Sequence, residues 1–554
     1  MSYSNSDVIN KAINNYRKFV LYTGIEYKDY QYEGVKWCIN KELTLINNLN
    51  LNNLNSINNS NINTYSNVNT YSNVNTYIRG GIRGGIRGGI IADEMGLGKT
   101  IMMIALMYCN FQKHTLIIVP PLLLIQWEKQ IYNITGHKPL IYYGKNKKHI
   151  TIRQIYDAPI VLTSYSLISL NKEQLDKKNF SLLHFIKWNR IICDEAHHLK
   201  NSSTNCYKGV KKFKTYSLWL LTGTPLQNKM KDFYNLCDLL RLPKSYYYNN
   251  DNLREIVSNY ILRRTKKQVG LKLCDLKIEN IVIKWSFMPQ KVLSSLLHSS
   301  FKFNKKHIPS NISSNIPSNT YDEFLSNEKT EMKLFKQFND LKLVDIFKRK
   351  GIFALLQVLK QLNIYPKLLE KRIDNYYINK IININTYLEL KNILLVKDKY
   401  NKLLELLEKL KNNNNNKLIF CHYRNEIDDY YYALKKLGYN KIAILDGRTK
   451  SNQIVEILNT SYEILLLQID CCCEGLNLQN YNEIIITSSH WNPAVEDQAI
   501  GRCYRLGQKK DVYVYKLKMD SITVNNITKT SLDNHIENIQ FLKRNLANEI
   551  LEVI

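Results

Sequence analysis

Short apolar runs alternate with segments of helical spacing over two stretches of the chain, residues 90–243 and residues 417–554. The runs are rich in isoleucine, leucine and valine and end in polar residues, which is typical of buried strands. Alternation with helices indicates parallel sheets, because parallel strands need a crossover connection. The predicted strands are 90–92, 116–120, 160–165, 190–193 and 218–221, then 418–423, 442–445, 464–467 and 484–487. The pattern therefore predicts an α/β fold with two parallel-sheet lobes.

The other stretches of the chain have different patterns. Residues 1–45 are predicted to be helical, and residues 46–89 are of low complexity, with NTYSNV twice and IRGG three times. Such a composition buries too little apolar surface to offset chain entropy, so we expect a flexible insertion at 46–89. Residues 244–416 include helical apolar spacing over Gly351 to Leu369 and an asparagine run at 412–416 that marks a linker. We expect a helical insertion between the two lobes.

Length, charge and composition narrow the class of protein. At 554 residues with 44% hydrophobic content, the chain is too long for one core and suits several globular domains. Lysine and arginine total 77 against 48 acidic residues, a formal charge of +29, which favours a nucleic-acid partner. An A+T-rich genome also raises the lysine count, which is the alternative explanation. The sequence has no run long enough for a membrane span and no secretory signal at its N-terminus, so we expect an intracellular protein.

The first predicted strand comes directly after the IRGG repeat, and a glycine-containing loop follows the strand. The stretch GIIADEMGLGKT, from Gly89 to Thr100, places Gly-Lys-Thr at the start of a predicted helix. In such a loop backbone N–H groups face phosphates, the lysine neutralises their charge and the threonine reaches Mg²⁺. The general pattern has glycine in place of Asp93, and a tight turn with a lysine is the alternative. The predicted nucleotide ligands are Asp93, Glu94, Met95, Gly96, Leu97, Gly98, Lys99 and Thr100.

Two adjacent acids follow a later apolar strand. Asp194 and Glu195 come directly after residues 190–193, at the carboxyl end of a strand, where ligands bind in open α/β sheets. We predict that Asp194 and Thr100 hold Mg²⁺ and that Glu195 orients and deprotonates the attacking water. A helix N-cap is the alternative use of such an acid pair. The Gly-Lys-Thr loop upstream favours catalysis.

Two further segments have chemistry that suits a nucleotide site. Gln31, in the helical N-terminal segment, carries an amide that donates and accepts at once, which suits the edge of adenine. An exposed helix glutamine is the alternative. The strand at 218–221 ends in Thr222, Gly223 and Thr224, whose hydroxyls are suited to relaying the state of the nucleotide. Taken only as a turn, the segment from Thr222 to Thr224 says little about function.

The second lobe has no Gly-Lys-Thr loop of its own, which suggests that it completes a site in the first. The Asn-Pro pair at 492–493 is typical of a helix start and Gly507 of a helix end. Between them Gln498, Arg502 and Arg505 fall at i, i+4 and i+7, hence on one helical face. We predict that these three residues are catalytic and that the arginines stabilise charge on the transferred phosphate. A solvated basic face is the alternative.

Several segments, in this order, resemble the motifs of the Swi/Snf family of superfamily-two helicase-like ATPases. The family usually has Asp at the position of Asp93, so the resemblance accounts for that departure from the general loop pattern. It implies two RecA-like lobes with a helical insertion between them, ATP and Mg²⁺ as cofactors, and translocation on double-stranded DNA. The segments are Gln31, GIIADEMGLGKT (89–100), the DEAH-type DEAHHLKN (194–201), LTGTPLQN (221–228), LRRTKKQV (262–269) and QAIGRCYRLGQ (498–508).

Two segments fit the resemblance less directly. The basic cluster at 263–267 is placed by the resemblance near DNA or an interlobe brace, and a solvated helix face is the alternative. Residues 471–478, CCCEGLNL, match the family's fifth motif in their second half, which implies that Gly475 and Asn477 couple DNA to hydrolysis. The family usually has Ala-Gly-Gly where three cysteines stand here. The triplet does not predict a metal site, because adjacent side chains diverge on a strand or loop, and none of the 11 cysteines forms a C-x-x-C pair.

Together these features predict an ATP-dependent double-stranded DNA translocase, an ATP hydrolase in chromatin remodelling, transcription or repair. A strand-separating DNA or RNA helicase is one alternative, although the short connection from Gly475 to Gln498 leaves little room for a strand-splitting hairpin. A non-catalytic nucleic-acid-binding scaffold is another, and the intact predicted catalytic residues argue against it. The A+T-biased chain resembles versions from large DNA viruses and from protists. We therefore expect the nucleus if it is cellular, and a viral factory or virion if it is viral.

Overall fold

The computed structural model describes residues 5–43, 87–177, 180–223, 230–300, 332–334, 336–472, 475–524, 527–529 and 531–551. The chain divides into two compact units, Met1–Lys272 with Leu546–Ile554, and Leu273–Asn545. Each unit contains one large parallel sheet with helices, so the prediction of two parallel-sheet lobes is confirmed. No helix in the described ranges is long and apolar enough to cross a membrane.

The first unit is built on a seven-stranded sheet in the order β3-β4-β2-β5-β6-β1-β7, in which every pair is parallel. Its central strands each contain an apolar run because both faces of the sheet are covered. Alternate residues enter two hydrophobic clusters, Ile90 and Ile118 in one, Ile91 and Ile117 in the other. The strands are β1 Arg87–Ile91, β2 Thr115–Val119, β3 Leu140–Tyr142, β4 Ile160–Ser164, β5 Lys187–Cys193, β6 Lys214–Leu221 and β7 Ile261–Leu262.

Eleven α-helices of the first unit are described. Helices α1 and α2 pack with α3 over the second cluster, through residues such as Phe19, Val35 and Met102. The helices are α1 Asn5–Thr23, α2 Asp29–Leu43, α3 Lys99–Cys109, α4 Leu124–Thr135, α5 Ile152–Asp157, α6 Tyr165–Ile168, α7 Lys172–Asp176, α8 Asn205–Lys212, α9 Met230–Leu239, α10 Lys244–Tyr247 and α11 Leu253–Tyr260.

A buried carboxylate anchors α2 to the sheet. Glu42, near the end of α2, accepts hydrogen bonds from Arg190 Nε at 2.6 Å, Trp219 Nε1 at 2.9 Å and Asn110 Nδ2 at 2.7 Å. Arg190 and Glu42 are both almost fully buried, and their charges compensate each other. This network fixes the helix that carries Gln31 against β5, β6 and the end of α3.

Strand β1 begins at Arg87, three residues before the predicted start of the first lobe at residue 90. The last Arg-Gly-Gly of the repeat is therefore part of the sheet, while residues 46–86 of the predicted insertion lie outside the described residues. A Cβ on Gly88 would stand 2.0 Å from the carbonyl oxygen of Leu218, and one on Gly89 would stand 2.8 Å from the ring of Trp37. These two glycines are required by close packing. Strand β1 is roughly 16 Å long for its five residues, and Arg87 lies at the end opposite to the glycine loop.

The second unit is built on a six-stranded parallel sheet in the order β10-β11-β9-β12-β13-β8. Its edge strand β8 lies within residues 244–416, which the sequence analysis assigned to a helical insertion and linker. That assignment is wrong for β8, which pairs with β13 from Leu276↔Val512 to Ile283↔Met519, and for β7, which pairs with β1 in the first unit. The largely exposed edge strand lacks the apolar run that marks the central strands. The strands are β8 Leu276–Ile283, β9 Lys417–Cys421, β10 Ile442–Leu445, β11 Ile464–Gln468, β12 Glu483–Ile486 and β13 Val512–Met519, with a separate hairpin of β14 Ile522–Val524 and β15 Ile527–Lys529.

Helices between β8 and β9 share a hydrophobic core with the later helix Leu532–Leu551, and Leu293, Leu359 and Ile393 are buried in it. The predicted helix at Gly351–Leu369 is α14, which ends at Ile364, and a 3₁₀ turn follows at Pro366–Leu369. The helices of this unit are α12 Met288–Ser299, α13 Leu343–Lys348, α14 Ile352–Ile364, α15 Glu370–Ile378, α16 Ile384–Leu394, α17 Asp398–Lys409, α18 Arg424–Lys436, α19 Ser451–Asn459, α20 Ile469–Cys472, α21 Pro493–Ile500 and α22 Leu532–Leu551, the last of which runs past residue 545.

Candidate nucleotide-binding site

The loop between β1 and α3 has the predicted strand–loop–helix geometry. Strand β1 ends at Ile91, and α3 begins at Lys99. Gly96 and Gly98 have φ of 90° and 81°, in the left-handed region that side chains rarely adopt. No described side chain caps the start of helix α3, so its first turn presents backbone N–H groups of the kind that bind phosphate.

The lysine of the loop is held by the loop itself. Lys99 Nζ donates to the carbonyl oxygens of Asp93 at 2.7 Å and Glu94 at 3.4 Å. Gly223 lies against the same loop, since a Cβ there would be 2.9 Å from Met95 Cγ and 3.9 Å from Lys99 Nζ. Thr222 is fully buried, and its backbone N–H donates to Ile91 at 3.0 Å. The structure brings Thr222 and Gly223 to the loop as the motif suggested, while Thr224 lies outside the described residues.

Gln31 is buried against the loop, with 3% of its surface exposed, so the alternative of an exposed helix glutamine is wrong. Its Nε2 donates to the carbonyl oxygen of Leu97 at 3.2 Å. Its Oε1 is buried and accepts no hydrogen bond from the residues that the structure describes. A Cβ on Gly98 would stand 2.5 Å from Gln31 Nε2, so glycine is needed for this close approach. The amide presents one unused acceptor beside the loop.

The acid pair follows β5 directly, and each acid has 7% of its surface exposed. Asp194 Oδ2 accepts from Trp127 Nε1 at 2.8 Å, and its Oδ1 accepts from the backbone N–H of Glu195 at 2.9 Å. Glu195 has φ of 51°, an uncommon conformation for a residue with a side chain. It precedes a 3₁₀ turn and makes no side-chain cap to it, so the N-cap alternative is wrong for Glu195. Its Oε2 lies 3.4 Å from His197 Nδ1.

The electrostatics of the acid pair suit a cation. Burial, with the charge of Glu195 next to it, raises the pKa of Asp194 to about 6, although the hydrogen bond from Trp127 and the charge of Lys99 lower it. A bound cation would offset the cost of keeping two such carboxylates charged. Within the described ranges no group of three or more His, Cys, Asp or Glu residues could hold a metal on its own. One carboxylate that shares Mg²⁺ with Thr100 and phosphate oxygens is the usual arrangement at nucleotide sites.

The second-unit motif differs in shape from its prediction. Helix α21 starts as predicted, with the Asn492 side chain accepting from the backbone N–H of Ala494 at 3.2 Å. It ends at Ile500, not near Gly507, so the prediction that Gln498, Arg502 and Arg505 share one helical face is wrong. The carbonyl oxygen of Arg502 accepts from the backbone N–H of Leu478 at 3.1 Å, and this tertiary hydrogen bond replaces a helical one.

Gln498 and Arg502 are nevertheless buried, and Arg505 is half-buried. Gln498 has 2% of its surface exposed, and its Nε2 has no hydrogen-bond partner in the described part of the chain. Arg502 has 8% exposed. Burial, together with the charge of Arg502, lowers the pKa of Arg505. Two guanidinium groups crowded together in this way favour a nearby anion.

The segment before this motif is only partly described. Cys471 and Cys472 end the short helix α20, so the prediction of a strand or loop is wrong for these two residues. Gly475 has φ of 76°, which side chains rarely adopt. Asn477 is exposed between two buried leucines. Roles for Gly475 and Asn477 in coupling stay a prediction.

Comparison with known proteins identifies the family. Residues 30–476 match the family model described as SNF2-related domain. The chain belongs to the SNF2-related family. It is 27% identical to DNA excision repair protein ERCC-6-like of Danio rerio over 77% of this chain and 32% of that protein. It is 26% identical to ATP-dependent DNA helicase DDM1 of Arabidopsis thaliana over 90% of this chain and 59% of that protein.

A solved structure also matches this SNF2-related chain. It is the Sulfolobus solfataricus SWI2/SNF2 ATPase core in complex with dsDNA, with 22% sequence identity, coverage of 95% of this chain and 93% of that chain, and a TM-score of 0.35. The chain spans 32% and 59% of the two relatives named above, so much of each relative has no counterpart here.

Three residues that support the site of this SNF2-related protein were missed from the sequence. Trp127 holds Asp194 from α4, and the Tyr165 hydroxyl donates to the carbonyl oxygen of Asp194 at 2.6 Å. Arg264, from the predicted basic cluster, forms an ion pair with Asp93, so the solvated-face alternative is wrong for Arg264. The residues flanking Trp127 and Tyr165 suggested only a helix start and a strand end. The sequence signal for Arg264 was its place in LRRTKKQV, which did not indicate its partner.

Proposed function

We propose that this SNF2-related protein is an ATP-driven motor that translocates along double-stranded DNA. The observation that carries the ATP part of the proposal is the buried Oε1 of Gln31, which has no hydrogen-bond partner among the described residues although Nε2 of the same amide holds the loop. An unsatisfied buried acceptor costs roughly 1–3 kcal/mol. The amino group of adenine supplies the missing donor. Guanine presents an oxygen at that place, so the arrangement favours ATP over GTP.

The chemistry follows from residues around the same loop. Lys99 exchanges its backbone carbonyl partners for phosphate oxygens, because charge-assisted hydrogen bonds are the stronger ones. Thr100 and Asp194 would hold Mg²⁺, which when bound neutralises charge on the outer phosphates. Glu195 takes a proton from the attacking water. The assignment of Gln498, Arg502 and Arg505 to the transferred phosphate rests on the sequence motif.

The DNA part of the proposal rests on the family and on charge. The names of the two relatives describe a DNA excision repair protein and a DNA helicase. The charge of +29 attracts phosphate backbones, and the affinity is therefore expected to fall steeply with salt. We propose that this motor moves on duplex DNA in chromatin remodelling, transcription or repair.

The decisive experiment measures phosphate release without nucleic acid and with double-stranded DNA, single-stranded DNA or RNA, using E195Q as the inactive control. We expect the largest stimulation by double-stranded DNA, together with ATP-dependent displacement of a third strand from a triplex. A preference for RNA, or efficient strand separation, would favour a helicase over a double-stranded DNA translocase. Absence of DNA-stimulated release from folded protein would support a binding scaffold.

A further inference from the structure

The guanidinium of Arg264 forms a two-point contact with the first acid of the phosphate loop. Arg264 follows β7, and its side chain has 15% of its surface exposed. Its Nε donates to Asp93 Oδ1 at 3.0 Å, and its Nη2 pairs with Asp93 Oδ2. The Asp93 side chain is fully buried. A forked, buried contact of this kind fixes direction as well as charge.

The same guanidinium also contacts the helix that carries Gln31. Its Nη1 donates to the carbonyl oxygen of Tyr30, and the group lies 5.5 Å from the centre of the Tyr30 ring. One turn further along α2, a Cβ on Gly34 would stand 2.8 Å from Arg264 Nη2. Helix α2 therefore leaves room for the guanidinium, and one side chain joins the residue before Gln31 to the loop.

The backbone around Arg264 binds the same loop a second time. The backbone N–H of Ala92 donates to Leu262 at 2.7 Å, and that of Glu94 donates to Arg264 at 2.9 Å. The backbone N–H of Lys266 donates to Glu94 Oε2 at 2.8 Å. Residues 262–266 thus extend along residues 92–94, immediately before the glycines of the loop.

We propose that Arg264 is a positioning residue that holds Gln31 and the phosphate loop in register, so that base and phosphates bind together. The proposal rests on the proposed nucleotide site and adds the residue that aligns its two halves. Lysine cannot replace arginine here, because an ammonium cannot engage Asp93 at two points and Tyr30 at a third. Without the guanidinium, the side chains of Lys99 and Gln31 are still present, but their relative position is no longer fixed.

The test compares R264K with R263K, a matched control on the neighbouring residue. Arg263 is close enough to Glu94 for their charges to interact, and a lysine keeps that charge. Binding of fluorescent ATP and GTP analogues is measured directly, with thermal unfolding alongside. We expect R264K to weaken ATP binding about tenfold, the effect of 1.4 kcal/mol, and to narrow the preference for ATP over GTP. R263K and wild type should bind alike, and D93N should add little to R264K because both break one contact.

Two outcomes separate this proposal from the function on which it rests. If folded wild-type protein binds neither nucleotide, the proposed nucleotide site is wrong. If wild type binds ATP and R264K keeps both the affinity and the base preference, Arg264 is not a positioning residue. If R264K lowers the affinity for ATP and for GTP by the same factor, the proposal is also overturned. Such a result indicates a general loosening of the site, whereas loss of alignment should reduce the preference for ATP.

Discussion

Trp127 donates its indole N–H to Oδ2 of Asp194 at 2.8 Å, from a position 67 residues earlier in the chain. Both groups are buried. The hydrogen bond stabilises the charged form of the carboxylate and holds one of its oxygens. The hydrogen bond thereby orients the Asp194 carboxylate, as outer-shell hydrogen bonds orient the ligands of metal ions.

Replacing Trp127 with phenylalanine should weaken the binding of Mg²⁺ at Asp194. W127F keeps much of the apolar volume and removes the donor, which costs about 1 kcal/mol or a factor of about five. We expect the Mg²⁺ concentration that gives half-maximal ATPase activity to rise about fivefold by that reasoning. The control is W188F, because Trp188 is also buried and donates to Leu183 at 2.9 Å, away from the acid pair. Equal Mg²⁺ dependence in both variants would contradict the role of Trp127.

Replacing Glu195 with glutamine should stop turnover without preventing nucleotide binding. E195Q keeps the shape of the side chain and removes the base, so the ATPase kcat should fall at least about 100-fold. Binding of a fluorescent ATP analogue should change little. E173Q, on the surface helix α7, is the matched control. A variant E195Q with near-normal kcat would show that another group activates the water.

Replacing Gly88 with alanine should destabilise the first unit far more than an ordinary glycine substitution. The new Cβ would stand 2.0 Å from a backbone oxygen of the neighbouring strand, at a φ of +125°. We expect a loss of about 3 kcal/mol or more in the free energy of unfolding. Gly144 has φ of +65° with no atom of the described residues within 4 Å of the added Cβ, so G144A should cost only about 1 kcal/mol. Chemical denaturation of both variants measures the contrast, and similar losses would contradict it.

Lys360 should make the stability of the second unit depend on pH. It lies on α14, with Nζ 3.1 Å from His422 Nδ1. Burial lowers its pKa from 10.5 to about 8, with Lys399 acting in the same direction and Asp470, Asp533 and Glu426 opposing. Between those two pKa values the unfolded chain binds a proton that the folded protein has lost, so stability rises with pH.

The variant K360M removes the contribution of Lys360 to the pH dependence of stability. The free energy of unfolding of wild type minus that of K360M should rise by about 2 kcal/mol from pH 7 to pH 10. Denaturant titrations at the two pH values measure the difference, which cancels other titrating groups common to both proteins. K350M, at an exposed lysine just before α14, should show no such trend. A flat difference for K360M would contradict the low pKa of Lys360.

Local patterns in the sequence determined the two parallel sheets, the glycine loop and the acid pair. Apolar runs mark central strands because both faces of the sheets are buried. Gly98, Lys99 and Thr100 are adjacent in the chain, so their joint position at the start of α3 needs only a strand, a turn and a helix. Asp194 and Glu195 were found for the same reason, because they directly follow an apolar strand.

Tertiary structure decided the contacts between residues that are distant in sequence. Arg264 and Asp93 are 171 residues apart, and only the placement of β7 beside β1 makes them partners. Helix α21 ends at Ile500 although the helical spacing continues past it, and the carbonyl oxygen of Arg502 accepts instead from Leu478, a residue of another segment. Edge strand β8 was missed because its exposed residues need no apolar run. Periodicity and spacing report on one segment at a time, whereas these features depend on which segments the fold brings together.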